Sequence, residues 1–274
     1  MQPSPLATPL AWNLVAPAYA AEVVPLFETY ARRALELAAP PAAGRVVDVA
    51  CGPGTLSLLA ARAGHPVDAL DFSPEMIAAL ERRLAGETGA PVGLHLADGQ
   101  SLPFPDGRFA AGFSMFGLMF FPDRARGFAE MRRVLAPGAR AVVSSWVPLD
   151  GIPAMAAMFA AVRAGLARLV PGGPPPEPPS FPLTSEEDCR REMGAAFAEV
   201  EVHRVSHTER YASAGELWQQ LARTMAPLVL MRQTLGEEPW GSIAAGAEQA
   251  IAAALGPGPV SMTMTALLSV GVAA

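Results

Sequence analysis

The sequence predicts an α/β fold, a doubly wound and mostly parallel sheet with helices on both faces and helical cap insertions. Three observations predict it. Short apolar or β-branched runs alternate with helical stretches five times between residues 45 and 146. The first run, Arg45 to Ala50, breaks at Cys51-Gly52-Pro53-Gly54 and restarts at helical spacing with Leu56, Leu58 and Leu59. The second and third runs each end in an acid, Asp71 and Asp98.

The elements follow in order. Residues 10–38 read as one or two helices, with Val23, Leu26, Phe27, Tyr30, Ala34, Leu35 and Leu37 on an apolar face. With Trp12 and Tyr19 this segment reads equally as a lid over a ligand and as cover for a sheet face. Strand, glycine turn and helix over 46–61 present backbone N–H groups to a ligand lying across the strand ends. Gly64 and Pro66 stop that helix. A second strand spans 67–72, and Ser73-Pro74-Glu75 starts the next helix, with Ser as cap and Pro at the first helical position. A third strand covers 92–97, a fourth 109–117 and a fifth 139–146, with a helix over 123–135 before the last.

Composition removes several function classes. The hydrophobic content is 51%, its excess mainly alanine, and no window of 18 residues lacks both charge and proline, so no membrane span is expected. No basic stretch precedes an apolar core at the N-terminus, so a cytoplasmic location is expected. Every one of the 20 basic residues is arginine, and the net charge of −6 disfavours a nucleic-acid partner. Two cysteines and four histidines, without metal-ligand spacing, give no metal site.

A dinucleotide site calls for G-x-G-x-x-G, and Ser57 stands where its third glycine belongs. An acid at Asp71 suits two ribose hydroxyls, and a second at Asp98 suits an adenine amine. Four blocks, DVACGPG (48–54), ALDFSPEM (69–76), ADGQSLPFPDGRF (97–109) and FFPDRARGFAEMRRVLAPGARAVVSSW (120–146), resemble the class I S-adenosylmethionine-dependent methyltransferases. The likeness is to their small-molecule, ubiquinone-biosynthesis-like branch. It implies a seven-stranded, Rossmann-like sheet with an antiparallel last strand, and S-adenosyl-L-methionine as cofactor. By the same resemblance Asp48, Ala50, Gly52 and Gly54 line the methionine part, with Tyr19 reaching its carboxylate. Asp71 holds the ribose, Phe72 and Met76 pack near the adenine, and Asp98, Gly99 and Gln100 recognise its edge. Ser114 supplies a backbone contact. Ala50 replaces the commoner first glycine of the turn, which is tolerable if its φ stays negative.

Methyl transfer from a sulfonium is an in-line displacement governed by alignment and desolvation, and it needs a base only for a protonated nucleophile. The segment after strand four, Phe116 to Phe121, is apolar where relatives often carry histidines, so it reads either as a wall for a hydrophobic acceptor or as core. His203 and His207 are the only weak candidates for a base, and a polar edge strand explains them as well. The catalytic residues therefore stay unassigned. Trp12, Phe116, Met119, Phe120, Trp146 and Trp218 are the candidate acceptor pocket; methionines and aromatics at helical spacing also read as ordinary core.

The organisation expected is a lid over 1–44, a cofactor core over 45–147, a cap insertion and following helix over 148–196, and C-terminal strands over 197–274 with a helical insertion at 213–255. Within these, Thr184 and Glu187 read as a capping box, 213–235 and 237–255 as one helix each, and 260–272 as the last strand. The expected activity is methylation of a small, largely apolar metabolite in specialised or quinone-like metabolism, with oxygen favoured and nitrogen and carbon left open. The rivals are a non-methylating reaction such as cyclisation or decarboxylation, and a non-catalytic partner subunit. A monomer or homodimer is expected.

Overall fold

The computed structural model describes residues 4–169 and 181–274. The proline-rich sequence PGGPPPEPPSFP over 171–182 lies outside the described residues except for its last two. The strands are β1 (Val46–Val49), β2 (Val67–Asp71), β3 (Val92–Leu96), β4 (Phe109–Met115), β5 (Leu135–Trp146), β6 (Ala198–Tyr211) and β7 (Val260–Val272). The helices are α1 (Pro9–Ala18), α2 (Val24–Ala38), α3 (Thr55–Arg62), α4 (Pro74–Leu84), α5 (Arg124–Val134), α6 (Pro153–Leu169), α7 (Glu186–Gly194), α8 (Ala214–Thr224), α9 (Ala226–Leu235) and α10 (Glu237–Leu255).

The seven strands run in the order β3-β2-β1-β4-β5-β7-β6. β1 to β5 pair in parallel, and β7 lies antiparallel to β5 with Val142 opposite Val270. β1 and β2 are buried at every position, as strands covered on both faces must be. Chain order reverses between β1 and β4, and a crevice opens at the carboxyl ends of strands at such a switch point.

The chain divides into two compact units. The first comprises Met1–Val147, Pro182–Val205 and Thr265–Ala274. Its core joins Tyr30, Ala31 and Ala34 of α2 and Leu56, Leu58 and Leu59 of α3 to Val46, Ala69, Phe113 and Val142 of the sheet. The second comprises Pro148–Phe181 and Ser206–Met264. There α6 and α10 pack closely: a Cβ on Gly165 would lie 2.7 Å from Ile243 Cγ1. Residues 182–194, which the sequence places with the cap, fall in the first unit.

Several local expectations change. The N-terminal segment is helical throughout, but Tyr19–Val23 is a π-helical turn between α1 and α2. Pro17 and Pro25 flank that turn and lack the N–H groups that a regular ladder needs. Pro9–Ala38 as a whole has the length and hydropathy to cross a membrane, although α2 carries paired charges, Arg32 with Glu28 and Arg33 with Glu36. The single helix expected over 213–235 is two: Pro227 has no N–H to continue the ladder of α8, and the chain breaks at Met225, extended at φ −81° and ψ 109°. The cap of α7 is Ser185 and not Thr184: the Ser185 hydroxyl accepts the Asp188 N–H.

Candidate functional site: a carboxylate-lined cleft at the strand ends

The turn after β1 builds one wall. Cys51 N–H donates to Leu70 O at 2.9 Å, tying the turn to β2. Gly52 at φ +54° and Gly54 at φ +80° then bring the chain round to the N-terminus of α3. Gly54 is required twice over, since a Cβ there would also lie 2.2 Å from Leu80 Cδ1 on α4. Ala50 departs from expectation: its φ is +57°, the left-handed region. Such a conformation costs about 1–2 kcal/mol for a residue with a Cβ. Gly117, after β4, lies against it, with a Cβ there reaching 2.3 Å from Ala50 Cβ.

Asp71, at the end of β2, is 5% exposed and accepts Gly52 N–H at 2.8 Å and Ser73 N–H at 2.9 Å, one on each oxygen. Burial raises its pKa to about 6 against the opposing pull of these hydrogen bonds. Asp48, near the end of β1, is 1% exposed. The Ser57 hydroxyl donates to its Oδ2 at 2.6 Å, while its Oδ1 has no hydrogen-bond partner. Burial, with a smaller push from the Asp71 charge, raises its pKa to about 7. Burial and the same two charges raise the Cys51 thiol, so it stays protonated. Tyr19 is pushed up by burial and by Asp71. Asp98, after β3, is exposed and accepts the Gln100 backbone N–H at 2.8 Å and its side-chain amide.

These groups converge on one cleft enclosing about 1050 Å³, open mouth included. Tyr19, Asp48, Ala50, Gly52, Asp71, Phe72, Met76, Asp98, Gly99 and Gln100 all line it, as do Trp12, Phe116 and Phe120 of the candidate acceptor pocket. Among the described residues the lining holds three carboxylates and no arginine. A pyrophosphate has nothing there to neutralise it, whereas a cationic ligand meets three acids. No group of three or more metal-ligating side chains occurs among the described residues.

The remaining wall is aromatic. Phe116 stands at φ +58°, an outlier for so bulky a residue, and is held by its N–H to Ser144 Oγ at 2.8 Å. Its ring stacks on Trp146 at 4.0 Å and meets Phe27 at 4.7 Å. Trp12 lies 5.2 Å from Phe120, and α1 is also tied down where Ser73 Oγ donates to Asn13 Oδ1 at 2.7 Å.

Seven of the candidate residues are not part of the lining. Gly54 lies behind the turn, against Leu80. Ser114 is fully buried, and its hydroxyl accepts Leu118 N–H. Met119 is core at 1% exposure, and Trp146 backs Phe116 from behind. Trp218 stacks on Trp240 at 6.2 Å inside the second unit. His203 and His207 sit on β6, beside Glu201 and Glu209 at 3.2 Å. Sequence reasoning missed Leu6, Ala7, Phe27 and Ala31, which line the cleft from the N-terminal segment. It also noted Ser57 only as a missing glycine.

Residues 46–138 match the family described as "Methyltransferase domain". The matched stretch carries β1 to β4, the start of β5 and the three acids of the strand-end cleft. The chain is similar over 119 residues, at 44% identity, to a demethylmenaquinone methyltransferase of Thermus thermophilus, covering 43% of this chain and 54% of that one. A ubiquinone/menaquinone biosynthesis C-methyltransferase of Geobacter sulfurreducens is 40% identical over 104 residues, covering 36% of this chain and 41% of that one. The matched stretch thus spans about half or less of these curated relatives. Among solved structures, the [4+2]-cyclase SpnF superposes with a TM-score of 0.60 at 16% identity, covering 99% of this chain and 97% of that one. The YcgJ protein of Bacillus subtilis gives 0.53 at 15% identity, covering 88% and 97%. These two likenesses concern the fold alone.

Proposed function

We propose that the chain transfers a methyl group from S-adenosylmethionine to a small, largely apolar acceptor. The observation that carries this reading is the cleft itself: among the described residues, three carboxylates and no arginine beside an aromatic wall. Asp71 would take the ribose hydroxyls with the lone pairs left over from Gly52 and Ser73, and Asp98 with Gln100 would meet the adenine edge. Asp48 would face the ammonium of the methionine part, and Tyr19 its carboxylate. These acids would also hold a sulfonium without neutralising it by covalent contact. The acceptor would lie against Trp12, Phe27, Phe116 and Phe120.

Among the described residues no histidine lines the cleft, the tyrosine there is held protonated, and in this reading Asp48 and Asp71 are taken up by the cofactor, so the acceptor must bring its own activated nucleophile. An electron-rich phenol or quinol-type ring does so, through its oxygen or the carbon beside it. The oxygen preference read from the sequence thus widens to that carbon, in keeping with relatives named for quinone methylation. Rate would come from alignment and exclusion of water, which together supply up to ~7–11 kcal/mol in well-oriented systems.

The test is incubation with methyl-labelled cofactor and a panel of phenols, quinols and amines, read by mass spectrometry alongside calorimetry with S-adenosylhomocysteine. Label in an apolar ring acceptor supports the proposal. Converted but unlabelled acceptor sinks methyl transfer and favours a rearrangement or decarboxylation. Absence of S-adenosylhomocysteine binding sinks the cofactor assignment and favours a non-catalytic subunit.

A further inference from the structure

We propose that Ser57 is a positioning residue: its hydroxyl occupies one oxygen of Asp48 and thereby presents the other to the ammonium of an amino-acid-bearing ligand in the cleft. The proposal rests on the cofactor reading above and adds a residue to it.

The geometry is specific. Ser57 is the third residue of α3 and fully buried. From there its hydroxyl donates to Asp48 Oδ2 across the strand–helix junction at 2.6 Å. Asp48 is itself almost fully buried and lines the cleft, yet Oδ1 has no partner. A buried acceptor left open is costly, roughly 1–3 kcal/mol or more when charged. The groups facing it supply no cation: Asp71 from β2, the Cys51 thiol from the turn, Ser57 from α3, and the Tyr19 hydroxyl near Asp71. Nothing among the described residues completes this carboxylate, which leaves the position open to a ligand. Without Ser57 the carboxylate is free to turn about its Cβ–Cγ bond, and burial then favours its neutral form, which attracts no ammonium. A glycine at this position, as in a dinucleotide fingerprint, has no hydroxyl to offer.

Two probes separate positioning from general packing. S-adenosylhomocysteine carries the α-ammonium; 5′-methylthioadenosine has the same nucleoside without the amino acid. In Ser57→Ala, affinity for S-adenosylhomocysteine at pH 7 is expected to fall about tenfold, one charge-assisted hydrogen bond. Affinity for 5′-methylthioadenosine should stay within about twofold, and the pH at which S-adenosylhomocysteine affinity rises should move upward. Asp48→Asn should show the same selective loss. Equal losses for both probes, or none for either, would overturn the proposal. Should Ser57→Ala fail to fold, Ser57→Cys keeps the volume with a weak donor and is read in the same way. A wild-type chain that binds neither probe overturns the cofactor reading, and this inference with it; one that binds both while Ser57→Ala loses neither overturns this inference alone.

Discussion

Replacing Asp71 by alanine should remove most of the affinity for S-adenosylhomocysteine. Each Asp71 oxygen already accepts one backbone N–H, from Gly52 at 2.8 Å and Ser73 at 2.9 Å, and keeps lone-pair capacity for one ribose hydroxyl. Hydrogen bonds to a charged group contribute about 1.5–3 kcal/mol each, so losing two costs roughly 3–6 kcal/mol, or about 10²- to 10⁴-fold in Kd. With its pKa near 6, the carboxylate is mostly ionised at pH 7, so little of this is lost to protonation. Folding is affected less simply. The substitution removes a buried charge but leaves two buried N–H groups without their acceptor, at roughly 1–3 kcal/mol each. Asp71→Asn keeps the shape, but its amide turns a donor toward one of those N–H groups, so its affinity should also fall. Calorimetric titration of the three proteins, with circular-dichroism melts to confirm folding, measures both effects. A folded Asp71→Ala protein binding S-adenosylhomocysteine within about threefold of wild type would refute the ribose assignment.

Other outcomes follow from the same geometry. Ala50→Gly relieves a left-handed alanine and should raise stability by up to about 1 kcal/mol, near 2 °C in Tm; an unchanged or lower Tm would show the strain is absent. Gly54→Ala should destabilise by at least about 1–3 kcal/mol through its φ of +80° and its approach to Leu80, read in a denaturant titration. The folded pKa values of Asp48 and Asp71, about 7 and about 6, lie above the unfolded value of ~3.9. The folded state therefore holds more protons between about pH 4 and pH 7, and stability of the ligand-free protein should fall as pH rises through that window. Affinity for S-adenosylhomocysteine should rise over the same range, with proton release visible as buffer-dependent heats; a flat profile contradicts the buried carboxylates. His203→Ala and His207→Ala should leave turnover within about tenfold, and a far larger loss in a folded variant would place a base on β6.

The carboxylate side of the cleft was legible because its signals are local. A strand that ends in an acid, or a turn that needs glycine, declares itself within ten residues, so Asp71 and Asp98 could be placed at strand ends and Gly52 in a turn before any packing was known, while Asp48 came from the family resemblance alone. The acceptor side was not. Met119 and Trp146 look like Phe116 and Phe120 in the sequence, and only packing decides which rings face the cleft and which stand behind them. Trp218 was drawn in by composition, and it stacks on Trp240, 22 residues away within the second unit. Phe27 and Ala31 looked like ordinary faces of an amphipathic helix.

By itself, then, the sequence determined the alternation of strands and helices, the glycine turn and the two acids Asp71 and Asp98 at strand ends, because strand periodicity and turn chemistry act between near neighbours. Tertiary structure decided that Ala50 turns left-handed against Gly117, that Ser57 holds Asp48, and that the aromatic wall is Trp12, Phe27, Phe116 and Phe120. Each of these depends on atoms brought within a few ångströms by chain segments that carry no local record of one another.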